Sequence, residues 1–155
     1  MVSIGKKVAK FSLPATGDQS ISLQDFSGTH LVLYFYPKDN TPGCTLEGQE
    51  FRDIYRKFRK AGAEVLGVSR DSMKAHDKFK AKLKLPFELL SNADEVLCRQ
   101  FDVIREKTLY GRKFMGIERS TFLIDASGVL RREWRKVRVK GHADEVLQAV
   151  RELPA

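Results

Sequence analysis

Hydrophobic positions fall along this chain in two rhythms, and their order predicts an α/β protein. Leu31-Val32-Leu33-Tyr34-Phe35-Tyr36 is an unbroken apolar and aromatic run ended by Pro37, as expected of a strand buried on both faces. After the loop 37–43, Phe51, Ile54, Tyr55 and Phe58 recur at i, i+3, i+4 and i+7. That spacing predicts one helix from about Thr45 to Ala61, stopped by Gly62. Val65-Leu66-Gly67-Val68-Ser69 then reads as a second buried strand, which closes a right-handed βαβ unit. Further on come a Lys-rich surface helix at 72–83, a short strand at 87–90 and a short helix at 94–101. Thr121–Asp125 and Val129–Trp134 flank the turn Ala126-Ser127-Gly128 as a hairpin. Ala143, Val146, Leu147 and Val150 stripe a last helix. Ahead of all this, Phe11–Pro14 and Ile21–Leu23 predict two short strands around a turn.

A βαβ unit followed by a ββα unit is thioredoxin-like connectivity. The expected fold is therefore α/β and thioredoxin-like, a central mixed β-sheet flanked by helices, with an N-terminal β-hairpin extension. With 155 residues and no repeat or linker, the expectation is a single domain over 1–155. No run approaches the roughly 18 apolar residues of a membrane span. The basic start has no apolar stretch behind it, so no secretory signal is read, and the expected location is cytoplasmic.

Charge changes this picture little. The formal net charge is +8, and its densest part is Arg131–Lys140. We read that stretch as an exposed edge strand whose cations discourage edge-to-edge pairing. It carries no nucleic-acid motif, and neither a nucleic-acid partner nor a membrane is expected.

Chemistry enters with the two cysteines, Cys44 and Cys98. They are too few for a disulfide framework, and no clustered His/Cys spacing suggests a metal site. Cys44 lies where a buried strand has ended, a Pro/Gly loop turns and a helix begins. The first N–H groups of a helix lack internal acceptors and favour an anion, and a thiolate is one. Thr41 places a hydroxyl in the same loop. By position alone Cys44 could equally be an inert loop cysteine.

Pro37-Lys38-Asp39-Asn40-Thr41-Pro42-Gly43-Cys44 matches the P-x-x-x-T-x-x-C motif of peroxiredoxins. With Tyr36, Thr45, Val65–Ser69, Leu89–Asp94 and Gly116–Asp125, the chain resembles the bacterioferritin comigratory protein, or peroxiredoxin Q, branch over nearly its whole length. The resemblance implies a thiol-dependent peroxidase that reduces hydrogen peroxide and organic hydroperoxides, with no cofactor. It implies Cys44 as nucleophile, Thr41 as the hydroxyl that orients the peroxide, and Pro37 as the ring packed over the sulfur. Arg119 is implied as the guanidinium that holds thiolate and peroxide. An arginine offers several donors in a fixed fork, suited to charge moving from sulfur to a leaving oxygen. The backbone N–H groups of Gly43 and Cys44 are expected to assist.

Branch members often carry a second, resolving cysteine five residues after the first, where this chain has Gln49, or on the helix at 72–83, which has none. Cys98 shares an apolar helix face with Leu97 and Phe101 and is read as a core residue. The expectation is a one-cysteine mechanism with an outside reductant: thioredoxin, glutaredoxin or glutathione. The alternative is that Cys98 resolves Cys44. A monomer is expected, with a weak dimer as the alternative. Among other classes, a cysteine hydrolase would need a base beside Cys44. The candidates His30, His76 and His142 are expected to be solvated surface residues. A basic nucleic-acid-binding or chaperone-like protein, or a redox sensor built on the same thiolate, completes the alternatives.

Overall fold

The apolar run does form a strand buried along its entire length, and alternation within it divides the molecule into two cores. The computed structural model describes residues 1–154. In chain order the elements are β1 (Ser12–Ala15), β2 (Gln19–Ser22), a 3-10 turn (Leu23–Phe26), β3 (His30–Phe35), α1 (Pro42–Asp53), α2 (Tyr55–Lys60) and β4 (Ala63–Ser69). There follow α3 (Met73–Leu83), β5 (Leu89–Ser91), α4 (Val96–Gln100), β6 (Ile104–Leu109), β7 (Arg112–Ile117), β8 (Ser120–Ile124), β9 (Leu130–Trp134) and α5 (His142–Arg151).

Seven strands make one mixed sheet in the order β2-β1-β5-β4-β3-β8-β9. The βαβ unit appears as the parallel pair β3–β4, with Val32 opposite Val65 and Phe35 opposite Val68. β8 and β9 run antiparallel beside β3. The N-terminal hairpin β1–β2 extends the sheet through an antiparallel bridge from Ala15 to Leu90. This is the thioredoxin-like arrangement read from the sequence.

Because successive residues of a strand point to opposite faces, Leu31, Leu33 and Phe35 enter one core and Val32, Tyr34 and Tyr36 the other. The first core is closed by Leu97, Cys98 and Phe101 around α4. The second holds Phe51 and Phe58 of the α1–α2 segment, Phe79 and Leu83 of α3, and Val146, Leu147 and Val150 of α5. Among the described residues no helix is long and apolar enough to cross a membrane.

Several boundaries depart from the sequence reading. The helix expected from Thr45 begins three residues earlier, because Pro42 occupies the first helical position behind the extended N-cap Thr41. Proline suits that position, where a missing N–H costs nothing. The same helix breaks at Ile54 (φ −117°, ψ 15°). No Gly or Pro marks the break, and Phe51 and Phe58 pack across it with tilted rings whose centroids are 5.8 Å apart, so the apolar period runs on through it. The strand at 87–90 is Leu89–Ser91, and the short helix is Val96–Gln100.

The antiparallel hairpin β6–β7 was not foreseen. Its strands are mostly exposed and strongly basic, and its tight turn uses Tyr110 (φ 51°) and Gly111 (φ 77°). The basic stretch is an edge strand only as far as Trp134. Arg135 then turns inward to donate to the carbonyls of Phe101 and Asp102.

Candidate active site

Thr41, Cys44, Glu47 and Arg119 meet where α1 leaves the loop after β3. Thr41 caps α1 and its hydroxyl donates to the Lys38 carbonyl at 2.8 Å. Gly43 and Cys44 are the second and third helical residues, whose N–H groups have no acceptor within the helix. Cys44 is 2% exposed. Arg119 directly precedes β8, and its carbonyl accepts from Val137 N–H at 3.0 Å, which ties the residue to the segment after β9.

From there the guanidinium reaches across to α1. Nη2 donates to Cys44 Sγ at 3.4 Å and Nη1 to Glu47 Oε1 at 2.6 Å. Gly43 makes room for it: a Cβ at that position would lie 3.0 Å from Nη2. Pro37, at the mouth of the loop, is half-buried.

Glu47 is the residue that sequence reasoning missed. It is 1% exposed, and burial lifts its carboxyl to about 7 against the opposing pull of Arg119. Its second oxygen, Oε2, is buried without a partner. The signal was present, since Glu47 lies three residues past Cys44 and so on the same helix face. Arg119 stays charged: burial works against its proton, but Glu47 and Cys44 hold it.

Cys98 lies elsewhere. It is fully buried in the core on the far face of the sheet, with its N–H bound to Asn92 Oδ1 at 2.7 Å. Burial pushes its thiol up to about 12. Cys44 belongs to the core on the opposite face.

The three histidines are not the solvated residues expected. All are buried: His30 accepts from Ala126 N–H at 3.0 Å, and His142 Nε2 lies 2.8 Å from Thr121 Oγ1. His76 contacts Asp39 and Leu90. Each sits where the sheet or loop offers a polar partner inside the fold, which composition does not reveal. None hydrogen-bonds Cys44 among the described residues. Asp39, Asp71 and His76 bring ligand-type atoms within 4.8 Å of one another. Those atoms are engaged with each other and with Tyr36, Ser69 and Leu90, and so read as a hydrogen-bond network.

A thiol at a helix start, one arm of an arginine fork on the sulfur and a hydroxyl in the loop before it together suit nucleophilic sulfur chemistry on an oxygen. Comparison with known proteins agrees. The AhpC/TSA family pattern matches residues 4–133. Peroxiredoxin Bcp of Xanthomonas campestris pv. campestris is 54% identical over 92% of this chain and 91% of its own. Peroxiredoxin Bcp of Bacillus subtilis is 47% identical over 98% and 97%. Among solved structures, Xanthomonas campestris peroxiredoxin Q superposes with a TM-score of 0.86 at 54% identity, covering 90% of this chain and 89% of that one. A Xylella fastidiosa PrxQ mutant gives 0.92 at 47%, covering 97% and 96%. The chain belongs to the AhpC/TSA family and is a thiol-dependent peroxidase, an oxidoreductase of the Bcp or peroxiredoxin Q kind.

Proposed function

We propose that Cys44 is the peroxidatic nucleophile and that Thr41, Arg119, Pro37 and the N–H groups of Gly43 and Cys44 bind and polarise the peroxide. The observation that carries this reading is the 3.4 Å contact from Arg119 Nη2 to Cys44 Sγ at the first turn of α1. The Cys44 thiolate attacks one peroxide oxygen, an S–O bond forms and the O–O bond breaks. The departing hydroxide or alkoxide takes a proton from solvent and leaves as water or alcohol. Sulfur is oxidised by two electrons to a sulfenic acid, the first step of the cysteine oxidation ladder. The guanidinium and the two N–H groups stabilise charge as it moves to the leaving oxygen.

The second half is a one-cysteine course. An outside thiol attacks the sulfenic sulfur and releases water, and a second thiol attacks the resulting mixed disulfide and restores Cys44. The opposite-face placement of Cys98 and its raised thiol support this over internal resolution. Thioredoxin, glutaredoxin and glutathione are the candidate reductants. Organic hydroperoxides are substrates beside hydrogen peroxide: a Xanthomonas campestris bacterioferritin comigratory protein structure, 53% identical, is described for alkyl peroxide reduction. The chain acts as one domain, as a monomer, in the cytoplasm, where thiols stay reduced.

Intact mass after one equivalent of hydrogen peroxide, without added thiol, tests this. One added oxygen, absent in Cys44→Ser, is the expected result. Loss of two hydrogens would make Cys98 the resolving cysteine, and an unchanged mass would remove Cys44 from peroxide chemistry.

A further inference from the structure

Behind the loop that leads to Thr41 lies a buried polar network that touches neither Cys44 nor Arg119. His76 on α3 is fully buried. Its Nε2 stands 2.9 Å from the Leu90 carbonyl oxygen and its Nδ1 2.6 Å from Asp39 Oδ2. Tyr36 OH donates to the other Asp39 oxygen at 2.6 Å. A carbonyl oxygen only accepts, so Nε2 carries a hydrogen. Tyr36 keeps its phenolic proton, since burial foremost, then nearby negative charge, holds its pKa far above the ordinary value.

Asp39 therefore receives one donor on Oδ1 and faces Nδ1 with Oδ2. One proton between Nδ1 and Oδ2 satisfies every group, and at 2.6 Å this is a short hydrogen bond between two buried side chains. Asp71 adds a negative charge, its Oδ2 accepting from Asp39 N–H at 2.9 Å and from Ser69 Oγ at 2.5 Å, and Lys38, Lys78 and Lys82 line the cleft beside Asp39 and Asp71. β5 presents a carbonyl, and α3 presents the apolar Phe79 to Tyr36.

This pair sits at a consequential place. Asp39 is two residues before Thr41, and Asn40 between them takes a left-handed turn (φ 62°). The Thr41 hydroxyl donates to the carbonyl of Lys38, the neighbour of Asp39. The direction of that hydroxyl and the start of α1 thus depend on how Asp39 is held. Buried polar side chains are seldom the most stable way to fill a core, so this pair points to a positional role.

We propose that His76 and Asp39 form a buried hydrogen-bonded pair that positions the 37–41 loop for peroxide reduction, His76 acting as a positioning residue through Asp39. The proposal rests on the reading of Cys44 as the nucleophile. Held in this register, Thr41 and the first turn of α1 present a ready-made cradle to the incoming hydroperoxide.

The experiment pairs two reactions of the same sulfur in the full chain. Peroxide reduction needs the oriented loop, whereas alkylation of Cys44 by iodoacetamide needs only an accessible thiolate. His76→Leu should slow the second-order reaction with hydrogen peroxide by about 100-fold, the scale of a 1 Å misplacement, while alkylation stays near the wild-type rate. His76→Gln, which keeps an N–H for Asp39, should recover part of the loss. Equal peroxide rates in all three proteins, or both reactions falling together, would overturn the proposal. Nitrogen-15 NMR of the unaltered protein gives a measurement free of folding effects. A far-downfield, slowly exchanging proton in the hydrogen bond between His76 Nδ1 and Asp39 is expected, and its absence would overturn the pair. If wild-type Cys44 gains no oxygen from peroxide, it is the nucleophile assignment that fails, which separates the two outcomes.

Discussion

Arg119 Nη1 donates to Glu47 Oε1 at 2.6 Å, and this bond sets where the rest of the guanidinium points. With Nη1 anchored in the buried wall of α1, Nη2 is left on the sulfur side. A lysine would keep the charge but could not occupy both positions, because it offers one nitrogen where arginine offers a fork. Arg119→Lys should lower the second-order rate with hydrogen peroxide by about 100- to 1000-fold, the range seen when an oxyanion donor is removed. Stopped-flow measurement against the unaltered protein checks it.

Gly43 separates packing from catalysis. The residue is helical, so alanine is no burden to the backbone, yet its Cβ would come within 3.0 Å of Nη2. The guanidinium end can give way, so Gly43→Ala should change thermal stability by no more than about 0.5 kcal/mol. The displaced Nη2 should cost roughly tenfold in peroxide rate. A large loss of stability with normal kinetics would contradict this account.

Two buried groups give the stability opposing pH dependences. Glu47 is lifted from 4.5 to about 7, chiefly by burial. The folded state therefore favours its proton, and the stability it contributes below pH 4.5 is lost as pH rises to 7. His142 is lowered from 6.5 to about 4, again chiefly by burial. It contributes above pH 6.5 and is lost as pH falls to 4. Each spans about 3 kcal/mol, so in the wild type they largely offset one another between pH 4.5 and 6.5. Glu47→Gln should unmask a stability that climbs with pH across that window. Urea unfolding at a series of pH values reads the slope, and a flat profile in the variant would refute the pairing.

Cys98 should matter for stability and not for turnover. Cys98→Ala removes a fully buried sulfur and should cost about 1–2 kcal/mol, with steady-state peroxide reduction by thioredoxin or glutathione unchanged. A collapse of turnover with normal stability would assign Cys98 to resolution.

Much of this molecule was legible in the chain because its central elements obey single rules. β3 and β4 each carry a long apolar run, α5 keeps one stripe, and the motif around Cys44 marks the loop and the helix start together. Other features were hidden because their cause is tertiary. The break at Ile54 leaves the apolar period intact, and β6–β7 are held by backbone pairing and a two-residue turn rather than by a buried face. His30, His76 and His142 look like surface residues until the partners that bury them are in place. Glu47 was likewise unremarkable as a helical carboxylate, since only the fold brings Arg119 to it from 72 residues away.

The sheet that sets the two cysteines in separate cores also makes them clocks of different events. Cys98, sealed on its own side with its thiol held neutral, can meet a thiol reagent only when that whole core opens, and such openings are as rare as global unfolding. Cys44 sits instead at a helix end, beside a loop. Timed labelling of Cys98 by such a reagent in a resting sample would therefore count excursions to the unfolded chain without denaturant.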